Sequence, residues 1–85
     1  MEITDVRIFL SSQEGATKAY ASITFDDAFV VKDIRVVDGK NGLFVSMPSR
    51  RDQKGEFRDI CHPITTEMRN LIQTTVLDKY KEEIV

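Results

Sequence analysis

One cysteine, one histidine, four glycines and no long apolar run limit what this 85-residue chain can be. Cys61 has no second cysteine to join, which excludes an internal disulfide framework and suits a reducing compartment. A zinc site needs three or four ligands, and one Cys with one His does not supply them. There is no glycine-rich phosphate loop and no GxGxxG; Gly39 and Gly42 read as turn glycines. No stretch approaches the ~18 apolar residues that cross a bilayer. The opening Met1-Glu2-Ile3-Thr4-Asp5 is acidic and alternating, so a cleavable signal is not expected. Repeats and low-complexity tracts are also missing, as are carboxylate pairs of distinctive spacing. These absences predict a single cytoplasmic domain over residues 1–85. They predict no catalytic residues, cofactor, metal, small-molecule substrate or membrane contact.

With 41% hydrophobic and 31% charged residues, the chain has the balance of a folded domain rather than a disordered one. A domain of this length buries only about 60–65% of its unfolded surface, so association with a second copy would add to a modest core. Net charge is −2, which counts against a simple nucleic-acid binder. The distribution matters more than the sum. Residues 1–31 carry Arg7 and Lys18 against Glu2, Asp5, Glu14, Asp26 and Asp27, whereas Arg50, Arg51, Lys54 and Arg58 face only Asp52 and Glu56. An acidic protein with its cations segregated in this way can still hold a local anion site.

Residues 3–10 and 18–25 alternate with period two, Val6, Ile8 and Leu10 on one face and Ala19, Ala21, Ile23 and Phe25 on another. Between them 11–17 reads as a polar hairpin loop, and Asp26-Asp27 as a short turn. Residues 28–37 are apolar on both sides. Alternation groups Val30, Ile34 and Val36, and opposite them Phe29, Val31 and Val37 beside Asp33 and Arg35. A strand apolar on both faces needs two covers, and one helix supplies only one; the other predicts a homodimer joined through sheet or strand contacts. Asp38 to Gly42 is a tight reversal, Leu43–Met47 a fourth strand ended by Pro48, residues 51–55 a polar loop, and Glu56–Cys61 a fifth strand. From Thr65 the period changes. Met68, Ile72, Val76, Tyr80 and Ile84 form one stripe flanked by Leu71 and Leu77, predicting a helix over about 66–82 with Thr65 or Thr66 as its cap. The expected architecture is α+β: an antiparallel sheet of about five strands with a C-terminal α-helix packed on it.

Arg50 and Arg51, with Lys54 and Arg58, are the leading functional residues, because a guanidinium presents a planar fork of donors that matches phosphate oxygens. A solvated loop whose cations pair internally with Asp52 and Glu56 is the competing reading, and the residues alone leave both open. Lys40 in the glycine turn and Arg69 at the start of the helix could extend the same surface, against a competing reading as ordinary solubility charges. Phe57 is the only ring beside the basic segment, and it reads as core rather than as a stacking surface for bases. Asp33 and Arg35, two apart, read as an ion pair or interface contact. Asp59, Cys61 and His62 superficially offer orienter, nucleophile and base, but consecutive strand residues point to opposite faces, so His62 reads as a structural junction residue.

Several segments carry a family resemblance: Asn41-Gly42-Leu43-Phe44-Val45, Met47-Pro48-Ser49-Arg50-Arg51, Gly55-Glu56-Phe57-Arg58-Asp59-Ile60 and His62-Pro63-Ile64. With Thr4-Asp5-Val6-Arg7, Ile34-Arg35-Val36 and Asp38-Gly39, they resemble the signature of the stage V sporulation protein G (SpoVG) family across nearly the whole chain. The resemblance implies a small nucleic-acid-binding regulator of bacterial gene expression, linked to septation and, in spore formers, to sporulation. It implies binding of DNA, with RNA a second candidate, through Arg50, Arg51, Lys54 and Arg58. The alternative is a protein-interaction module in septum formation that does not touch nucleic acid.

Overall fold

In the computed structural model, which describes residues 1–11 and 15–84, six strands precede one helix. Strands β1 (Ile3–Leu10), β2 (Thr17–Phe25), β3 (Phe29–Gly39) and β4 (Gly42–Ser46) form an antiparallel meander in the order β1-β2-β3-β4. Strands β5 (Ser49–Arg51) and β6 (Phe57–Asp59) pair only with each other. Helix α1 spans Thr66–Glu83 and crosses one face of the four-stranded sheet, touching β1, β3 and β4. The α+β class with a C-terminal helix therefore stands. The expected fifth strand leaves the main sheet and forms a separate hairpin with Ser49–Arg51. The hairpin loop expected at 11–17 lies partly outside the described residues; its closing bond runs from the Ser11 N–H to the Lys18 carbonyl at 3.0 Å.

The core is the inner face of β2 and β3 against the helix. Ala19, Ala21, Ile23 and Phe25 alternate inward and meet Ile34 and Val36, while Ile72, Val76 and Tyr80 descend from the helix. Ala19 and Ala21 have short side chains, which lets the helix stripe sit close to the sheet. Thr65 caps the helix by accepting a hydrogen bond from the Met68 N–H at 3.1 Å.

The face assignment of β3 needs one correction. Ala21 pairs with Ile34 and Ile23 with Val31, so β3 carries one residue more than β2 across that interval. The surplus is accommodated by a bulge in which Asp33 takes a φ of +63°. Alternation therefore flips there: Val31 packs against the core on one side of the bulge, Ile34 and Val36 on the other, and Val30 stays 47% exposed. Arg35 makes no ion pair with Asp33. Its guanidinium donates to Thr17 Oγ1 at 3.2 Å and Ser46 Oγ at 3.3 Å on the sheet's outer face.

Gly39 and Gly42 close the β3–β4 turn for different reasons. Gly42 holds a φ of +111°, which favours glycine, whereas a Cβ on Gly39 would stand 2.8 Å from the Phe44 ring.

Candidate nucleic-acid interface

The β5–β6 hairpin is built around Asp52. Its Oδ1 accepts hydrogen bonds from the Lys54 N–H at 2.8 Å and the Glu56 N–H at 2.9 Å, and its Oδ2 takes Arg58 Nε at 3.2 Å. The Gly55 N–H returns to the Asp52 carbonyl at 3.1 Å, with Gly55 at a φ of +82°. One short side chain thus organises the whole reversal, as Asx turns do. The Glu56 N–H, ahead of the Arg58 guanidinium and the Lys54 N–H, holds the Asp52 carboxyl below its ordinary value of 3.8, against the opposing effect of desolvation. A lowered folded-state pKa contributes stability at all pH above the ordinary value, and that contribution is lost as pH falls through the folded value. In an acid titration followed by NMR, the Glu56 and Lys54 amide shifts are expected to move together with a midpoint below 3.8. Asp52→Asn removes that titration. A midpoint at or above the ordinary value would mean that the turn network does not form.

The cations are sorted by strand geometry rather than scattered along a loop. Arg50 lies opposite Arg58, and Arg51 opposite Phe57, so the two adjacent arginines leave opposite faces of the hairpin. Arg50 and Arg51 are strand residues, not loop residues, because Ser49–Arg51 finds a partner in Phe57–Asp59. Phe57 is 68% exposed rather than core, since the hairpin pairs only with itself and not with the main sheet. The Arg51 guanidinium lies over its ring, 5.0 Å from the centroid. Arg58 is neutralised by Asp52 at 3.2 Å and Glu56 at 3.5 Å, as the competing sequence reading expects. Arg50, Arg51 and Lys54 make no ion pair among the described residues and stand open to solvent.

Arg69 borders a cleft of about 320 Å³ together with Asp59 at the end of β6, which places it beside the base of the hairpin. Lys40 is not brought to this site: it sits at the far end of β4, whose five residues span roughly 15 Å. Cys61 and His62 do not face apart as strand residues would. They follow the end of β6, in the junction to the helix, and both line an apolar cavity of about 170 Å³ with Met1, Met47 and Met68. His62 Nδ1 lies 3.1 Å from the Pro63 carbonyl.

These features define a class: a small α+β domain that projects a basic β-hairpin from one end of a helix-backed sheet. Within that class the chain belongs to the SpoVG family, whose model matches residues 1–82. It is 59% identical over 81 residues to a protein of Acetivibrio thermocellus, covering 95% of this chain and 86% of that one. It is 58% identical over 81 residues to one of Clostridium novyi, covering 95% and 81%. A relative in Caldicellulosiruptor saccharolyticus is 52% identical over 84 residues, covering 99% and 96%. All three carry the name "Putative septation protein SpoVG". The SpoVG family is not a known enzyme family. No described helix is long and apolar enough to cross a membrane.

Proposed function

We propose that the protein is a cytoplasmic, non-enzymatic regulator that binds nucleic acid by presenting the β5–β6 hairpin to the phosphate backbone, in processes linked to septation, cell division and sporulation. The observation that carries this reading is the hairpin's open charge: Arg50, Arg51 and Lys54 are exposed and have no carboxylate partner among the described residues. A planar guanidinium in that state keeps its full donor set for phosphate oxygens. Arg58 serves mainly to hold the turn through Asp52, and Arg69 extends the basic surface at the hairpin's base. Affinity comes chiefly from phosphate contacts, whatever the target sequence. The test is a salt titration of binding to short DNA and RNA. A negative slope of log K against log salt of about 0.7–0.9 per phosphate contact is expected. Salt-independent or absent binding would leave a protein-interaction module in septum formation as the reading.

The working unit in this proposal is a homodimer. The reason drawn from β3 alone is weaker than it looks in the sequence, since Val37 is already only 9% exposed. Stronger support comes from Phe29, 67% exposed, and from Ile60 and Ile64, 63% and 89% exposed, on the junction that borders the same cavity as Phe29. A second copy seated there removes that apolar surface from water. Sedimentation at micromolar concentration is expected to give a dimer for the wild type and a monomer for Phe29→Glu/Ile64→Asp. A wild type that sediments as a monomer would sink the proposal.

A further inference from the structure

The helix covers only one face of the four-stranded sheet, and the other face is ordered in an unusual way. Pairing puts Phe9 opposite Tyr20, Tyr20 opposite Arg35 and Arg35 opposite Ser46, so one straight row crosses all four strands. The neighbouring positions Ile8, Ala21 and Ile34 point into the core, which fixes the row on the open side. Phe9 is 58% exposed and Tyr20 42%. Directly opposed side chains on antiparallel strands stand about 4.5–5.5 Å apart at Cβ. The row is therefore two aromatic rings followed by a guanidinium, each a flat surface on which a nucleobase can stack. Arg35 has no carboxylate partner among the described residues, and the hydroxyls of Thr17 and Ser46 hold its guanidinium in the row. Phe9 and Tyr20 also line a groove of about 510 Å³ that continues toward Lys32 and Arg7.

We infer that this open face is a stacking platform for the unpaired bases of single-stranded nucleic acid, with the backbone leading on to the hairpin. The inference rests on the nucleic-acid reading above and narrows its ligand to unpaired strands. Connectivity favours it, because the row ends at Ser46 and β5 starts three residues later at Ser49, one before Arg50. A strand laid along the row leaves the sheet where the hairpin arginines begin. The composition of the face also argues against a second copy as its occupant. The rings share their groove with Arg7 paired to Asp5, with Lys32, and with Ser22 and Thr24. The centres of permanent interfaces are depleted of charged groups of this kind.

The test compares the full-length wild type with Phe9→Ala/Tyr20→Ala and Phe9→Leu/Tyr20→Leu, using fluorescence anisotropy on labelled oligo(dT), oligo(U) and a DNA duplex. The leucine pair keeps apolar area on the face and removes the π surfaces together with the Tyr20 hydroxyl, so it controls for folding. Both variants are expected to lose at least about tenfold in single-strand affinity, with the salt slope unchanged, because stacking is lost and phosphate contacts are not. Duplex affinity should move far less. If the folded leucine variant binds oligo(dT) and oligo(U) as tightly as the wild type, the platform is refuted while the hairpin reading survives. If the wild type binds no nucleic acid, both fall. If the variants change sedimentation from dimer to monomer, the face is an interface between copies and the platform is wrong.

Discussion

Ile34→Ala is expected to cost about 3 kcal/mol and to lower the melting temperature by roughly 10–25 °C in a domain of this size. Ile34 is fully buried, opposite Ala21, within the cluster that Ile23, Val36 and Val76 complete. Alanine at position 21 has no further atoms with which to fill the gap. The loss is then the transfer of a large aliphatic group plus the cavity it leaves. Against a total stability of about 4–13 kcal/mol for 85 residues, it removes a large fraction of the margin. The comparison that isolates the bulge uses two smaller changes on the same strand. Val31→Ala should destabilise by about 1 kcal/mol, because Val31 packs against the core, and Val30→Ala by no more than about 0.5 kcal/mol. Urea unfolding with an unchanged m-value measures all three. If Val30→Ala costs as much as Val31→Ala, the register of β3 described above is wrong.

Strict alternation in β2 and the four-residue stripe of α1 made those elements legible, because each has one buried face and a period that its backbone imposes. β3 was legible as a strand but not as a pattern. A bulge shifts the period by one residue, and in a sequence that shift looks like apolar residues on both faces. Asp33, a polar residue in mid-strand that takes a positive φ, is the available signal, although its spacing from Arg35 suggests an ion pair or interface contact instead. The hairpin was hidden for another reason. Three-residue strands carry too few positions for a period to register, so Ser49–Arg51 looked like a loop and Phe57 like core. Asp52 followed by Gly55 was the turn signature that could have located it. Basic residues were easy to find, but which of them are free was not. That depends on Asp52 reaching Arg58 across the turn, a contact set by the pairing of β5 with β6. The platform row was out of reach for the same reason, since Phe9, Tyr20, Arg35 and Ser46 become neighbours only through strand register.

Replacing both hairpin arginines, Arg50→Ala/Arg51→Ala, should lower the magnitude of the salt slope by about 1.4–1.8, one phosphate contact for each guanidinium. If wild-type and variant binding curves converge near 1 M salt, that slope change corresponds to a loss of roughly 25–60-fold at 0.1 M. The two residues leave opposite faces of the hairpin, so a ligand that touches one face only would produce unequal single variants. Arg51→Ala also strips the cation from the Phe57 ring, and Arg51→Lys keeps the charge while losing the planar fork. Arg58→Ala provides the internal contrast. Its charge is already spent on Asp52 and Glu56, so the slope should change by much less than one contact, although the turn loosens. Lys40→Ala, roughly 15 Å away along β4, should leave the slope as it is. Unfolding curves matching the wild type would show that the arginine pair contributes little to stability, as expected for exposed side chains without an ion-pair partner among the described residues. A folded double variant with the wild-type slope would remove the hairpin from the interface and place the phosphate contacts elsewhere on the domain.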